Sequence, residues 1–232
     1  MSEKLTYALE GDVAVLTLDD GKANALAPDM IDALSKALDR AESEAGAVAF
    51  FGRPGRFSAG FDLKTMSAGA DAAAAMVGAG AELLLRIYEF PRPTVVGVTG
   101  HALAAGALIL CAADTRIATR GDFKIGLNEV AIGMTLPVFG TELARDRLSK
   151  RHFTAAVVQA TLYDAEGAVA AGYADRAVDA DALVGEVMST AATLAELPRG
   201  AYAGTKRQAR NATAGHIRDS LVEDMARLKG AS

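Results

Sequence analysis

The sequence predicts an α/β fold whose last third is helical, and three observations carry that expectation. Short apolar runs of strand length, such as Ala47–Gly52 and Thr94–Val98, are unbroken by polar residues, the mark of strands buried on both faces of a parallel sheet. Runs with helical period separate the strand-like runs up to about residue 125. Beyond that point helical patterns dominate, with no linker or internal repeat dividing the chain. The expected organisation is a core at residues 1–178 and a C-terminal helical region at 179–232.

Leu5–Glu10 and Val13–Leu18 are β-rich and meet at Gly11-Asp12, which reads as a hairpin. Asp19–Ala27 is a loop. Pro28 suits a helix first turn, and Met30, Ile31, Leu34 and Leu38 then form one apolar face. Ala47–Gly52 is a buried strand and Gly52–Ser58 its exit loop. Ser67–Ala81, rich in alanine and glycine, reads as a mobile flap with few anchoring side chains. Glu82–Phe90 is helical and is ended by Pro91 and Pro93. Thr94–Val98 is the second buried strand. Ala104–Ala113 is an almost wholly apolar helix, which places it centrally. Thr115–Ala118 and Phe123–Ile125 read as short strands. Leu136–Leu148, His152–Ala160, Asp164–Ala171, Asp181–Leu197 and Pro198 to the end read as helices.

With 232 residues, the chain can bury roughly 70–75% of its unfolded surface without covalent staples. It is 51% hydrophobic with a mean hydropathy of +0.19, and much of that is alanine. The net charge of −5 opposes nucleic-acid binding, and no basic stripe with interleaved aromatics is present. The longest apolar run, Ala102–Ala113, falls short of the roughly 20 residues a membrane span needs. The polar Met1–Leu5 segment does not read as a signal peptide. The single cysteine, Cys111, excludes a disulfide framework and makes the cytoplasm the expected compartment. Three histidines without ligand spacing predict no metal site.

Two stretches carry most of the chemical information: Phe57-Ser58-Ala59-Gly60-Phe61-Asp62-Leu63 and Gly100-His101-Ala102-Leu103-Ala104-Ala105-Gly106. Each places small residues at a strand-to-helix turn, where backbone N–H groups can approach a ligand. Two such donors aimed at one point make an oxyanion hole. Neither stretch holds a Ser–His pair, a metal cluster or a phosphate loop. The expected chemistry is therefore stabilisation of an anion by backbone. Asp62 reads as a helix cap, Asp114 as a cap or partner of Arg116, and His101 as a hydrogen-bonded structural residue. Lys206-Arg207-Gln208-Ala209-Arg210 reads as a solvated helix face. Met66, Met76 and Phe90 suit either core packing or an apolar ligand pocket.

The first stretch, extended to Lys64, resembles the FxAGxDL signature of the crotonase (enoyl-CoA hydratase/isomerase) superfamily. Further segments resemble that family in its order. They are Asn24-Ala25-Leu26, Pro91–Gly100, Asp114-Thr115-Arg116-Ile117-Ala118, Asn128-Glu129-Val130 with Gly133 and Pro137, and Asp164–Ala168 with Ala171–Asp175. The resemblance implies a spiral of repeated ββα units with a helical C-terminal oligomerisation region. It implies a homotrimer or a hexamer built as a dimer of trimers. It also implies an acyl-CoA thioester substrate, coenzyme A entering as part of it and no permanently bound cofactor. The thioester oxygen would rest on the amides of Phe61 and Ala105, the second at a helix N-terminus. Coenzyme A would lie along Ala23, Asn24, Ala59 and Lys64, with its phosphates within reach of Lys206 or Arg207.

Hydratases of that family hold a water between two glutamates, and here those positions are Leu108 and Glu129. Leucine can neither activate water nor supply a proton. A single carboxylate can take a proton from C2 of a 3-enoyl thioester and return it at C4, with the intermediate charge on the thioester oxygen. The resemblance therefore implies a Δ3,Δ2-enoyl-CoA isomerase with Glu129 as its acid–base. A dienoyl-CoA isomerase would need a second acid where Pro137 stands. Two other readings stand beside it: an enoyl-CoA hydratase, and an acyl-CoA-binding oligomer with little or no catalysis.

Overall fold

The structure, a computed structural model, describes residues 4–230. The expectations for Met1–Glu3 and for the last two residues, Ala231 and Ser232, lie outside the described residues. Strands β1 (Leu5–Glu10) and β2 (Val13–Leu18) form the expected hairpin, and helix α1 (Pro28–Glu44) starts at its proline. Strand β3 (Ala47–Gly52) pairs parallel with β2, and β5 (Thr94–Val98) with β3. Between β3 and β5 lie β4 (Gly55–Ser58), the single-turn helix α2 (Leu63–Met66) and α3 (Ala70–Glu89). Strand β6 (Gly100–Leu103) and helix α4 (Ala105–Ala112) follow β5, then β7 (Thr115–Thr119) and β8 (Ile125–Gly126). Helices α5 (Val138–Arg147), α6 (Phe153–Val157) and α7 (Ala165–Ala171), strand β9 (Arg176–Val178), and helices α8 (Leu183–Ala195) and α9 (Arg199–Gly230) complete the chain.

The strands form two sheets. The larger has the order β1-β2-β3-β5-β7-β9 and is parallel apart from the hairpin; the smaller is the parallel trio β4-β6-β8. After the opening β1-β2-α1 unit, whose strands both lie in the large sheet, three successive turns (β3-β4, β5-β6 and β7-β8) each lay one strand in the large sheet, the next in the small one, and then turn into a helical segment. That is the repeated ββα spiral the resemblance implies. The loop expected at Gly52–Ser58 contains β4, and the turn expected at Gly100–Leu103 contains β6. Both strands are short and form through their pairing with each other. Strand β9, too short to stand out by pattern, closes the large sheet beside β7.

The central strands β3 and β5 are buried on both faces, which explains why they show no polar alternation. Val48, Phe50, Val96 and Val98 enter the main core with α1, α3 and α4. Ala47, Ala49, Phe51 and Val95 form a second core under α8, with Leu183, Val187 and Ala191. Gly97 leaves the space that Phe51 fills, for a Cβ there would lie 2.7 Å from the Phe51 ring.

The flap expected at Ser67–Ala81 is instead the first half of α3, where Ala73, Ala74, Met76 and Val77 are buried. Alanine is the strongest helix former, and small side chains let α3 pack closely. Gly80 is needed there, because a Cβ would collide with the Phe61 ring. Helix α9 packs along α3 and α5, and its Ala214 and Ile217 join the main core. No helix among the described residues is long and apolar enough to cross a membrane.

Candidate active site

The small sheet organises the site. Its three parallel strands end side by side, and the segments leaving their C-terminal ends hold Phe61, Ala105 and Glu129. Ligands of parallel sheets collect at such strand ends.

After β4 the chain passes through Gly60 at φ +88°, a region open to glycine. Leu26 donates to the Gly60 carbonyl at 2.8 Å and accepts from the Asp62 amide at 3.4 Å. In this parallel bridge Leu26 makes both bonds, so the Phe61 amide faces the other way. Among the described residues it donates to no backbone carbonyl. Asp62 accepts from the Thr65 amide at 2.8 Å and the Thr65 hydroxyl at 2.7 Å, so it is the expected cap of α2. Those bonds hold its carboxyl below the usual range.

After β6 the chain turns at Ala104, which has φ +51°. An alanine in this conformation stores strain of about 1 kcal/mol or more. Its own amide is tied to the Gly126 carbonyl at 3.0 Å, and its carbonyl accepts from Ala107 and Leu108. The turn delivers Ala105 as the first residue of α4, where an amide has no partner within the helix. Every residue of α4 is buried, so its positive end acts in a poorly solvated place. The two turns touch. A Cβ on Gly60 would lie 2.7 Å from the Ala104 Cβ and 3.0 Å from the Ala105 nitrogen. One on Gly106 would collide with the Ser58 carbonyl.

Strand β8 runs beside β6 and leads through Leu127 and Asn128 to Glu129, which opens a single 3₁₀ turn, Val130–Ile132. The Glu129 carbonyl accepts from Met134 at 2.9 Å and Ile132 at 3.1 Å, fixing the turn. Its side chain is no solvated surface group: the residue is only 8% exposed, and Oε2 is buried without a hydrogen-bond partner. Burial pushes its carboxyl up to about 7, against a weaker pull from its own amide and that of Asn128. Leu108, on α4, is buried. It packs towards Gly140, where a Cβ would lie 3.2 Å from the Leu108 side chain.

The expected coenzyme contacts divide. Ala59 and Lys64 are exposed, and Ala23 is half-buried with its carbonyl accepting from the Ala59 amide at 3.0 Å. Asn24 differs from expectation. It is fully buried, and its Nδ2 donates to the carbonyls of Leu18, Arg56 and Phe57 at 2.8–3.1 Å. Its Oδ1 accepts from the Asp20 amide, its own amide donates to Asp20 Oδ1, and its carbonyl accepts from the Ser58 hydroxyl. With every polar group engaged, Asn24 has none for a ligand; it clamps the early loop against the first turn.

The basic run on α9 also differs from expectation. Lys206 Nζ lies 2.8 Å from Asp114 Oδ2 and Arg210 Nη2 lies 3.0 Å from Asp114 Oδ1, with both cations buried. Lys206 is thus unavailable to coenzyme phosphates, while Arg207 is exposed. Asp114 neither caps α4 nor pairs with Arg116; Arg116 pairs with Asp175 at 2.8 Å. Sequence reading misses this because the partners are 92 and 59 residues apart. His101 is structural as expected, its Nδ1 accepting from the Lys124 amide at 3.0 Å. No group of three or more His, Cys, Asp or Glu among the described residues is placed to hold a metal.

Beside the Glu129 turn, a cavity of about 710 Å³ opens between the start of α3, the 133–138 loop and α9. Met66, Ala70, Ala73, Met134, Leu136 and Leu228 give it apolar walls. Of the candidate pocket residues, Met66 lines this space, whereas Phe90 belongs to the core. Asp224, which pattern reading passes over, borders the cavity and accepts from the Val138 amide at 2.8 Å, capping α5 from α9.

Residues 8–226 match the family described as enoyl-CoA hydratase/isomerase. A crystal structure of an enoyl-CoA hydratase/isomerase family protein from Pseudomonas syringae superposes with a TM-score of 0.96 at 42% identity, covering 98% of this chain and 99% of that one. A probable enoyl-CoA hydratase of Bacillus subtilis is 34% identical over 142 residues, 60% of this chain and about half (55%) of the relative. The mitochondrial enoyl-CoA delta isomerase 1 of Homo sapiens is 29% identical over 220 residues, 91% of this chain and 73% of the relative.

Proposed function

The chain belongs to the enoyl-CoA hydratase/isomerase family, and on that premise we propose that it is a Δ3,Δ2-enoyl-CoA isomerase. The observation that carries this reading is a single buried carboxyl, Glu129, whose Oε2 has no partner, with apolar Leu108 where a second acid would be needed to add water. In the proposed reaction the amides of Phe61 and Ala105 hold the thioester oxygen. The Glu129 carboxylate removes a proton from C2, the C2–H electron pair becomes part of a dienolate, and the negative charge moves to the thioester oxygen. The same carboxyl then delivers that proton to C4, leaving the double bond between C2 and C3. A group titrating at about 7 suits both halves, since it accepts and returns a proton near neutrality. Backbone donors need no reorganisation as the charge forms.

Ala23, Ala59 and Lys64 line the proposed path of coenzyme A, and Asn24 supports it from below. Assembly as a trimer or a dimer of trimers belongs to the same reading. It is supported by the exposure of Val130, Ile132 and Val158 beside the site.

The test is a comparison of trans-3-hexenoyl-CoA isomerisation with crotonyl-CoA hydration, for the wild type and Glu129→Gln. The expected result is isomerisation well above hydration and its loss in the variant. Undiminished turnover by Glu129→Gln would overturn the role of Glu129. Hydration dominating would select a hydratase. Acyl-CoA binding by calorimetry without any turnover would select a binding protein.

A further inference from the structure

The cavity beside the Glu129 turn has a carboxyl in its wall that the reaction above does not use. Its walls begin at the segments that carry the reacting groups. Met66 ends α2, the single turn that follows Phe61 and Asp62. Met134 donates its amide to the Glu129 carbonyl. From Met134 the wall continues along the 133–138 loop to Val138 and Asp224. Four residues lie along this path (138 − 134), so Val138 stands at most about 14 Å from Met134. A carbon chain extending beyond C4 of a thioester held at Glu129 has this largely apolar space to enter.

Asp224 is the exception in that wall. It is only 4% exposed. Its Oδ2 accepts from the Val138 amide at 2.8 Å and, more weakly, from the Phe139 amide at 3.4 Å, which caps α5. Its Oδ1 makes no hydrogen bond among the described residues, yet it is not sealed off as the orphaned oxygens of Asn128 and Glu129 are. In a residue so buried that borders the cavity, the open oxygen faces the cavity. Arg227, almost one turn along α9, is paired with Glu223 at 2.6 Å instead. A cap needs one oxygen, and an amide or hydroxyl serves as well, so the second carboxyl oxygen is surplus to that role. An alkyl chain laid over it would strip its water and return nothing. A hydroxyl on the chain would donate to it and replace that water.

We propose that the acyl chain of the thioester occupies this cavity and that Asp224 Oδ1 selects chains carrying a hydroxyl at the end remote from the thioester. Asp224 is thus a specificity-determining residue, in contact with the chain and not with the reacting carbons. The inference rests on the acyl-CoA reading and names a substrate class within it, the ω-hydroxyacyl thioesters. Ala73 bounds the same space from α3, where its small side chain leaves room for the chain.

The experiment is calorimetric titration of wild type, Asp224→Asn and Ala73→Leu with butanoyl-CoA, decanoyl-CoA and ω-hydroxydecanoyl-CoA. These saturated thioesters bind without isomerising. Asparagine keeps an acceptor for the Val138 amide, so α5 stays capped. Wild type is expected to hold ω-hydroxydecanoyl-CoA about tenfold more tightly than decanoyl-CoA, as a hydrogen bond to a charged group provides. In Asp224→Asn that ratio falls to about threefold or less, because a neutral partner makes a weaker bond. Ala73→Leu fills the cavity and weakens both decanoyl ligands relative to butanoyl-CoA by about tenfold or more. Equal affinity for the two decanoyl ligands in wild type, or an unchanged ratio in Asp224→Asn, would overturn the proposal. So would an Ala73→Leu protein that ranks the three ligands as wild type does, since the chain would then lie elsewhere. Turnover is not read, so these failures leave the isomerase reading standing, whereas binding of none of the three ligands would sink both.

Discussion

Gly60 lies against Ala105 so closely that any side chain on it would intrude between the two turns of the site. A Cβ at this position would stand 3.0 Å from the Ala105 nitrogen and 2.7 Å from the Ala104 Cβ. This contact brings the Phe61 and Ala105 amides to neighbouring positions, although 44 residues separate them in sequence (105 − 61).

Gly60→Ala therefore has two costs. Its φ of +88° is strained for alanine, and its methyl must displace the Ala104–Ala105 turn. The expected outcome is a loss of about 2 kcal/mol or more in urea unfolding. On the proposed reading, kcat for trans-3-hexenoyl-CoA isomerisation should fall by about two orders of magnitude, as when one oxyanion donor is removed. Near-normal turnover by a folded variant would refute the paired-amide site.

Glu129 links activity to stability through pH. Its carboxyl titrates at about 7 in the folded chain against an ordinary 4.5. Between those values the folded state keeps a proton that the unfolded state has lost. Stability therefore falls as pH rises through that window. Glu129→Gln removes the effect. Unfolding curves at pH 4 should nearly coincide, whereas at pH 8 the variant should be the more stable by up to about 3 kcal/mol. With Glu129 as the proposed base, activity is expected to run the other way, with wild-type kcat/KM rising with pH to a midpoint near 7. A kinetic midpoint below 5 would contradict the burial of this group.

Leu108→Glu asks whether one apolar position separates the two chemistries. Leu108 is buried, so the new carboxyl is expected to cost about 2–4 kcal/mol, read as a lower Tm. In the folded fraction the ratio of crotonyl-CoA hydration to hexenoyl-CoA isomerisation should rise. A ratio that stays flat in a folded variant would show that Leu108 does not set the reaction.

Asp114 holds the C-terminal helix to the core. Besides Lys206 and Arg210, it accepts from the Tyr202 hydroxyl at 2.7 Å and the Thr94 amide at 2.8 Å. Desolvation favours its neutral form, but the two cations and these donors outweigh it and hold the carboxyl below its usual range. Asp114→Asn leaves Lys206 and Arg210 buried without their counter-charge. The expected loss is about 3–5 kcal/mol, with amide exchange in α9 accelerated ahead of the central sheet. A change under 1 kcal/mol would mean that water reaches the pair.

Much of the fold is legible in the sequence because the central strands of the large sheet are buried on both faces. That burial forces unbroken apolar runs at Ala47–Gly52 and Thr94–Val98, and these need no knowledge of the partners. The site is legible to the extent that it is made of backbone: small residues at two strand-to-helix turns announce close approach. Of the small sheet only β8 shows in the sequence, as the run Phe123–Ile125; β4 and β6 do not, because they are four residues long and form only as neighbours. Ser67–Ala81 reads as a flap rather than a helix because alanine and glycine say little about anchoring until α9 is seen lying along α3.

By itself, the sequence determined the alternation of strands and helices and the two glycine-bearing turns, which follow from local chemistry, namely periodicity and left-handed backbone at glycine. Its resemblance to the family, rather than any local pattern, singled out one carboxyl, Glu129, with no second acid at Leu108. Only the tertiary structure decided that Asn24 is a clamp, that Lys206 and Arg210 are buried on Asp114, and that the Glu129 carboxyl is buried. Each of those facts depends on which distant groups lose water together, and desolvation is a property of the packed chain that no stretch of residues carries alone.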